Sequence, residues 1–205
     1  SIEHNVLFLL GQRTFPILCV LGNHEPVYNI LHTLPLVDIS IGEKVYEYVT
    51  PKKNKNYPNV YFLQRGKIYT ILGKKCLVLG GGLSIDKAFR IPYKTWWPQE
   101  YWSIDEKNAL RQLLKLDDTF DFVFSHTAPQ TVINEMFAQE KNGLQFSFKA
   151  KDDVALFNNE IYEIAQYKKW LFGHFHKDTA PFVDTKGREY ICLYNLTMLL
   201  EGNEQ

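Results

Sequence analysis

No apolar run in this chain approaches the ~20 residues that a membrane-spanning helix requires, so no membrane partner is expected. Charge of one sign is missing as well: lysine plus arginine and aspartate plus glutamate both number 23, for a formal charge of zero. A protein that tracks a long phosphate backbone carries a basic excess, so long nucleic acid is not an expected partner. The lysines at 52, 53, 55, 74 and 75 read first as a solvated hairpin and second as a local basic patch. Cysteine is scarce. Cys19, Cys76 and Cys192 are odd in number, widely spaced and each set in an apolar run. That argues against a disulfide framework and for buried thiols in a reducing compartment, hence a cytoplasmic location. Ser1-Ile2-Glu3-His4 shows no basic stretch of the kind that opens a secretory leader. Repeats, low-complexity tracts and linkers are absent too. A composition that is 45% apolar over 205 residues suffices for one well-filled domain spanning 1–205.

What is present centres on Ile17–Glu25. Ile17-Leu18-Cys19-Val20-Leu21 has the length and composition of a strand buried on both faces. It stops at Gly22-Asn23-His24-Glu25, a glycine followed by side chains that coordinate or transfer protons. Pro26 then suits the first turn of a helix, and Val27, Ile30, Leu31 and Leu34 keep the spacing of one helix face. A polar cluster at the carboxyl end of a strand is where open α/β sheets bind ligands.

Other elements follow from pattern and punctuation. Val6, Leu7, Leu9 and Leu10 form a helical tail before Gly11. Val45–Val49, Val60–Leu63, Lys67–Leu72 and Lys75–Gly80 read as strands of a β-meander, with Asn54–Asn59 as a loop and Gly66 and Gly73 as turns. Ser103 with Glu106 makes a capping box ahead of Ile104, Leu110, Leu113 and Leu114. Phe120–Phe124 is a strand ending at His126, and Thr131–Gln139 a short helix broken by Asn142-Gly143. Asp152 or Asp153 caps a helix that buries Val154, Phe157, Ile161 and Ile164. Lys169–Phe172 is a strand into Gly173-His174, and Lys186-Gly187 turns a hairpin between Ala180–Val183 and Glu189–Tyr194.

His24, His126, His174 and His176 thus all fall at strand ends. Two residues apart in an extended segment, His174 and His176 point to one side, and Gly173 lets the backbone bend toward a common spot. Neutral imidazole is the commonest protein ligand for a transition metal, and Asn23 offers a carbonyl oxygen. Trp96, Trp97, Tyr101 and Trp102 are read first as core or rim packing and second as a substrate groove.

Gly22-Asn23-His24-Glu25, Ser125-His126-Thr127-Ala128-Pro129 and Gly173-His174-Phe175-His176 together resemble the three later signature blocks of the calcineurin-like metallophosphoesterases, in the family's order and at strand ends. Gly81–Asp86, Arg90 and Trp96–Glu100 further resemble a bacterial and phage-type branch. The resemblance implies an α/β fold, a mixed β-sandwich of two sheets flanked by helices. It also implies a two-metal centre in which Asn23, His126 and His174 hold one divalent ion and His176 holds the other. Mn, Fe, Zn and Mg are all compatible. His24 would be the general acid for the leaving oxygen or a cation steadying the transition state, and Arg90 a phosphate clamp.

The family's first two blocks, Asp-x-His and Gly-Asp-x-x-Asp, have no counterpart; no aspartate precedes Asp38. The chain is therefore expected to lack the first strand–helix–strand unit of the fold, to carry one metal or none unless carboxylates come from elsewhere, and to self-associate through an exposed sheet edge. The expected function is metal-dependent hydrolysis of a phosphorylated substrate, first as a phosphomonoesterase of Ser/Thr-phosphatase type. The alternatives are a phosphodiesterase acting on a nucleotide, or an inactive fragment or scaffold that binds one metal at most.

Overall fold

The computed structural model describes residues 6, 9–24, 26–49, 56–138 and 152–200. Its strands are β1 (Ile17–Cys19), β2 (Leu36–Val37), β3 (Val45–Val49), β4 (Asn56–Phe62), β5 (Lys67–Ile71), β6 (Lys74–Val78), β7 (Thr119–Phe124), β8 (Gln166–Phe172), β9 (Phe182–Val183) and β10 (Glu189–Cys192). The α-helices are α1 (Ile104–Leu116), α2 (Gln130–Met136) and α3 (Asp153–Ile164). One sheet has four strands in the order β1-β4-β3-β2 and the other six in the order β5-β6-β7-β8-β10-β9. This is the mixed α/β sandwich that the sequence pattern and the resemblance led us to expect.

Period-two alternation builds the layers. On β6, Leu77 faces a core shared with the helices, while Val78 faces the other way into the space between the sheets. The helix-side core joins Leu77, Val123, Trp170 and Tyr190 of the large sheet to Leu110 and Leu114 of α1 and Phe157 and Ile161 of α3. The inter-sheet core is Val45, Leu63, Tyr69 and Val78, with Leu18, Val37 and Phe124 against it. A third core covers the outer face of the small sheet, where Val27, Tyr28, Leu34 and Trp97 pack on Tyr48, Val60 and Phe62.

The helices begin where their capping residues predict. Ser103 Oγ accepts from the Glu106 N–H and Glu106 Oε2 accepts from the Ser103 N–H at 2.8 Å, closing a capping box on α1. Asp152 Oδ1 accepts from Val154 and Ala155 N–H at 2.9 and 3.2 Å at the start of α3. The hairpin at Gly187 is present, with β9 and β10 antiparallel. Val6 and Leu9–Gly11 are helical, in keeping with the expected helical tail.

Five expectations of the fold need correction, the first being Ile164, which is exposed at the end of α3 rather than buried. β1 is half-buried along its length, and among the described residues it pairs with β4 alone, so it is an edge strand rather than one buried on both faces. After Pro26 the chain forms two 3₁₀ turns, Pro26–Asn29 and Leu31–Thr33, in place of an amphipathic α-helix. Pro35 holds Leu34 extended (φ −74°, ψ 139°) and ends the second turn there. The middle of the chain is two hairpins in two different sheets, β3–β4 and β5–β6, rather than one meander. Strand β4 begins at Asn56, inside the stretch expected to be a loop, with the β3–β4 register shifting between Glu47 and Val49. Asn142-Gly143 and the lysines at 52, 53 and 55 lie outside the described residues. Lys75 is ion-paired with Asp117.

Parallel pairing decides where function can sit. β6, β7, β8 and β10 are mutually parallel neighbours, and β1 runs parallel to β4. The loops leaving β1, β6, β7, β8 and β10 carry Asn23-His24, Gly80-Gly81-Gly82, His126, His174 and Tyr194 respectively.

Candidate metal centre

Each loop of the cluster is fastened by the elements behind it. Tyr28, buried beneath the first turn, donates its hydroxyl to the Gly22 carbonyl at 2.8 Å. Ser125 Oγ accepts from Trp170 Nε1 at 2.6 Å and donates to the Thr127 carbonyl at 2.8 Å; Asn158 Nδ2 donates to the same carbonyl at 2.8 Å. These bonds fix the loop around His126. The Gly173 N–H donates to the His126 carbonyl at 3.0 Å, tying the third loop to the second.

Asn23, His126 and His174 meet. Asn23 Oδ1 lies 2.7 Å from His126 Nε2, and His174 Nδ1 lies 3.0 Å from the same nitrogen. The Asn23 amide is oriented by its other end, since Nδ2 donates to Ser84 Oγ at 3.2 Å and to the Leu83 carbonyl at 3.4 Å. Ser84 Oγ in turn donates to Glu100 Oε2 at 2.6 Å. Asn23, Ser84 and Glu100 are all buried. Two glycines clamp the His126 ring: a Cβ on Gly22 would sit 2.9 Å from His126 Cε1 and Nδ1, and one on Gly82 would sit 3.0 Å from His126 Cδ2. No side chain fits at either place without moving the ring.

The electrostatics keep these imidazoles neutral. Burial, with the neighbouring His174, His24 and His176 adding to it, lowers His126 to a pKa of about 3. Burial, then His24 and His176, lowers His174 to about 4. Glu100 moves the other way, its carboxyl raised by burial against the opposing bond from Ser84. At the rim, His24 is lowered by loss of hydration on its packed face and then by Arg90, with Asp86 opposing.

The donor set fits a cation. His126 Nε2 faces two acceptor-capable atoms and can carry at most one proton. If it donates to Asn23 Oδ1, the contact with His174 Nδ1 is left without a proton of its own. If His174 Nδ1 donates to it, its lone pair faces the Asn23 oxygen. In either tautomer one contact is unsatisfied, whereas a divalent ion accepts from all three neutral donors. Among the described residues no group of three or more His, Cys, Asp or Glu is placed to hold a metal, so the fit is to an Asn/His/His set without carboxylates.

The other expected residues lie around this triangle. His24 is exposed beside Arg90 and Asp86, and Glu25 lies outside the described residues. Arg90 Nε is 2.7 Å from Asp86 Oδ1, and Nη1 donates to the Thr95 carbonyl at 2.8 Å. His174 and His176 do not lie in an extended segment. Both are left-handed, with φ of 71° and 51°, and the bend expected of Gly173 is made by the histidines themselves. His174 turns in to His126, Phe175 packs on Phe137 and Phe172, and His176 turns out to stack on Tyr194. Non-glycine residues in this region cost energy and persist where the surroundings over-determine them. Trp97 and Trp102 are core, as the packing reading held, and Trp102 Nε1 donates to the Gly80 carbonyl at 2.9 Å.

Sequence reasoning gave no role to Ser84, Glu100, Tyr28 or Tyr194. Ser84 and Glu100 fall inside the two stretches that carried the finer resemblance, which was the available signal. Tyr28 and Tyr194 have none.

Parallel strands that deliver an amide oxygen and imidazole nitrogens to one point define an α/β protein with its candidate site at the carboxyl ends of its strands. The family model for calcineurin-like phosphoesterases matches residues 1–178, and the chain belongs to that family. Metal-dependent phosphoester hydrolysis is the family's chemistry. No curated protein matches the chain. No helix among the described residues is long and apolar enough to cross a membrane.

Proposed function

We propose that this chain carries the half of a phosphoester-hydrolase site built from Asn23, His126, His174, His176 and His24, and that the enzyme it serves is a phosphomonoesterase of the Ser/Thr-phosphatase type. The observation that carries the reading is the convergence of Asn23 Oδ1 and His174 Nδ1 on His126 Nε2 at 2.7 and 3.0 Å. Asn23, His126 and His174 would hold one divalent ion, with His176 toward a second; such ions would supply positive charge at the phosphoryl oxygens and lower the pKa of water. The chain's own residues do the rest. Gly22 and Gly82 keep His126 in place, the Ser84–Glu100 pair aims the Asn23 oxygen, and burial keeps His126 and His174 unprotonated. His24 stands at the rim as the proton donor to the leaving oxygen. Arg90, with Nε and Nη1 engaged by Asp86 and Thr95, presents the remaining edge of its guanidinium to phosphate.

A scaffold role with one metal at most is supported by a different observation: no carboxylate appears among the causes that shift His126 or His174. A second metal would call for carboxylate ligands, and self-association through the side of β1 that is unpaired among the described residues is one way for another copy to supply them. Metal content per chain after dialysis against Mn²⁺, read with the hydrolysis of a phosphoserine peptide, a cyclic nucleotide and single-stranded DNA, tests these readings. Two metals with turnover of the peptide support the phosphatase. Preference for the cyclic nucleotide replaces it with the phosphodiesterase, and one metal with no turnover replaces both with the scaffold.

A further inference from the structure

We propose that Tyr194 is a positioning residue for His176, acting through a ring stack that Asp178 holds in place; this rests on the reading of His176 as a metal-site histidine. The two rings lie parallel within 19°, with centroids 5.0 Å apart. His176 needs such a support. It is exposed, and its backbone sits at φ 51°, where few non-glycine residues settle without outside restraint. Its neighbours in the motif are fixed differently, since His174 bonds to His126 and Phe175 is wedged against Phe137 and Phe172.

Tyr194 is itself more than half exposed, so burial does not set its ring. Its backbone is set instead by one carboxylate. Asp178 Oδ1 accepts from the Tyr194 N–H at 2.7 Å and the Leu196 N–H at 3.0 Å, and Oδ2 accepts from the Asn195 N–H at 3.0 Å. Asp178 is two residues beyond His176, so one short segment carries both the histidine and the clamp that returns the tyrosine to it. The base of this segment is fixed to the end of β10: the Thr179 N–H donates to the Cys192 carbonyl at 3.0 Å, and Thr179 Oγ1 accepts from the Cys192 N–H at 3.1 Å. Groups behind a metal-binding histidine commonly fix its ring, and their loss costs metal affinity. Here a stacked ring replaces the usual hydrogen bond.

The test uses the full chain and two readouts. In the metal-free protein, the His176 ring protons, assigned against His176→Ala, should resonate upfield of an unstacked histidine; Tyr194→Ala should remove that displacement and Tyr194→Phe should keep it. In Mn²⁺ titrations, Tyr194→Ala and Asp178→Asn should weaken binding by about tenfold, Tyr194→Phe should not, and Tyr194→Ala should have no further effect in a His176→Ala background. Unmoved ring protons in Tyr194→Ala overturn the stack. If they move while His176→Ala leaves Mn²⁺ affinity intact, the metal reading of His176 fails, and the positioning role falls with it.

Discussion

Acidifying the metal-free protein should unfold it earlier than its carboxylates alone would. Burial and the neighbouring histidines push His126 to about 3 and His174 to about 4 in the folded chain, from an ordinary value near 6.5. The unfolded chain therefore takes up two protons near pH 6.5 that the folded chain refuses until about pH 4 and below. The unfolded state binds more protons throughout that interval, so stability falls as pH falls through it. Each such proton is worth about 1.4 kcal/mol per pH unit. Over about two units the pair withdraws at most ~5 kcal/mol, as large as the whole stability of many domains.

The assay is urea unfolding followed by tryptophan fluorescence between about pH 7 and about pH 4.5. Wild type is compared with His126→Asn/His174→Asn, because shifted carboxylates contribute in both directions. Glu100 and Asp152 are raised by burial, whereas Asp86 is lowered by its bond to Arg90 and Asp121 by its bond from Lys75. The wild type should lose several kcal/mol more than the double variant over this range. Parallel curves for the two proteins would refute the claim that the cluster is held neutral by burial.

Three further outcomes are expected from the same contacts. In an enzyme with the complete metal site, His24→Ala should lower turnover by about two orders of magnitude while bound metal, measured by elemental analysis, is unchanged; metal loss would contradict an acid role. Ser84→Ala leaves the buried Glu100 carboxyl and the Asn23 amide without their shared partner, so it should cost about 1–3 kcal/mol in urea unfolding and weaken Mn²⁺ binding as well. Asp184→Ala strands the Arg188 guanidinium, only 6% exposed, and should cost about 3–5 kcal/mol with no effect on metal binding, since the pair lies at the β9–β10 hairpin away from the cluster.

The sequence by itself determined the local pieces. Ser103 with Glu106 and the Asp152 cap placed the starts of α1 and α3, because capping is a contest within one turn of backbone. Gly187 placed the last hairpin, and the three histidine-bearing blocks, each at a strand end, were legible as motifs. Pro35 marks the end of the turns after Pro26, since its effect on Leu34 is also local. Only the tertiary structure decided the rest, because it depends on which distant segments pair. Nothing near residue 66 says that the chain leaves one sheet and enters the other, or that β1 becomes an edge among the described residues. The donor triangle joins residues 103 and 48 positions apart, and the Ser84–Glu100 relay and the Tyr194 stack exist only once parallel strands bring their loops to one end of the sandwich. Side-chain chemistry is written in the chain; convergence is a property of strand pairing.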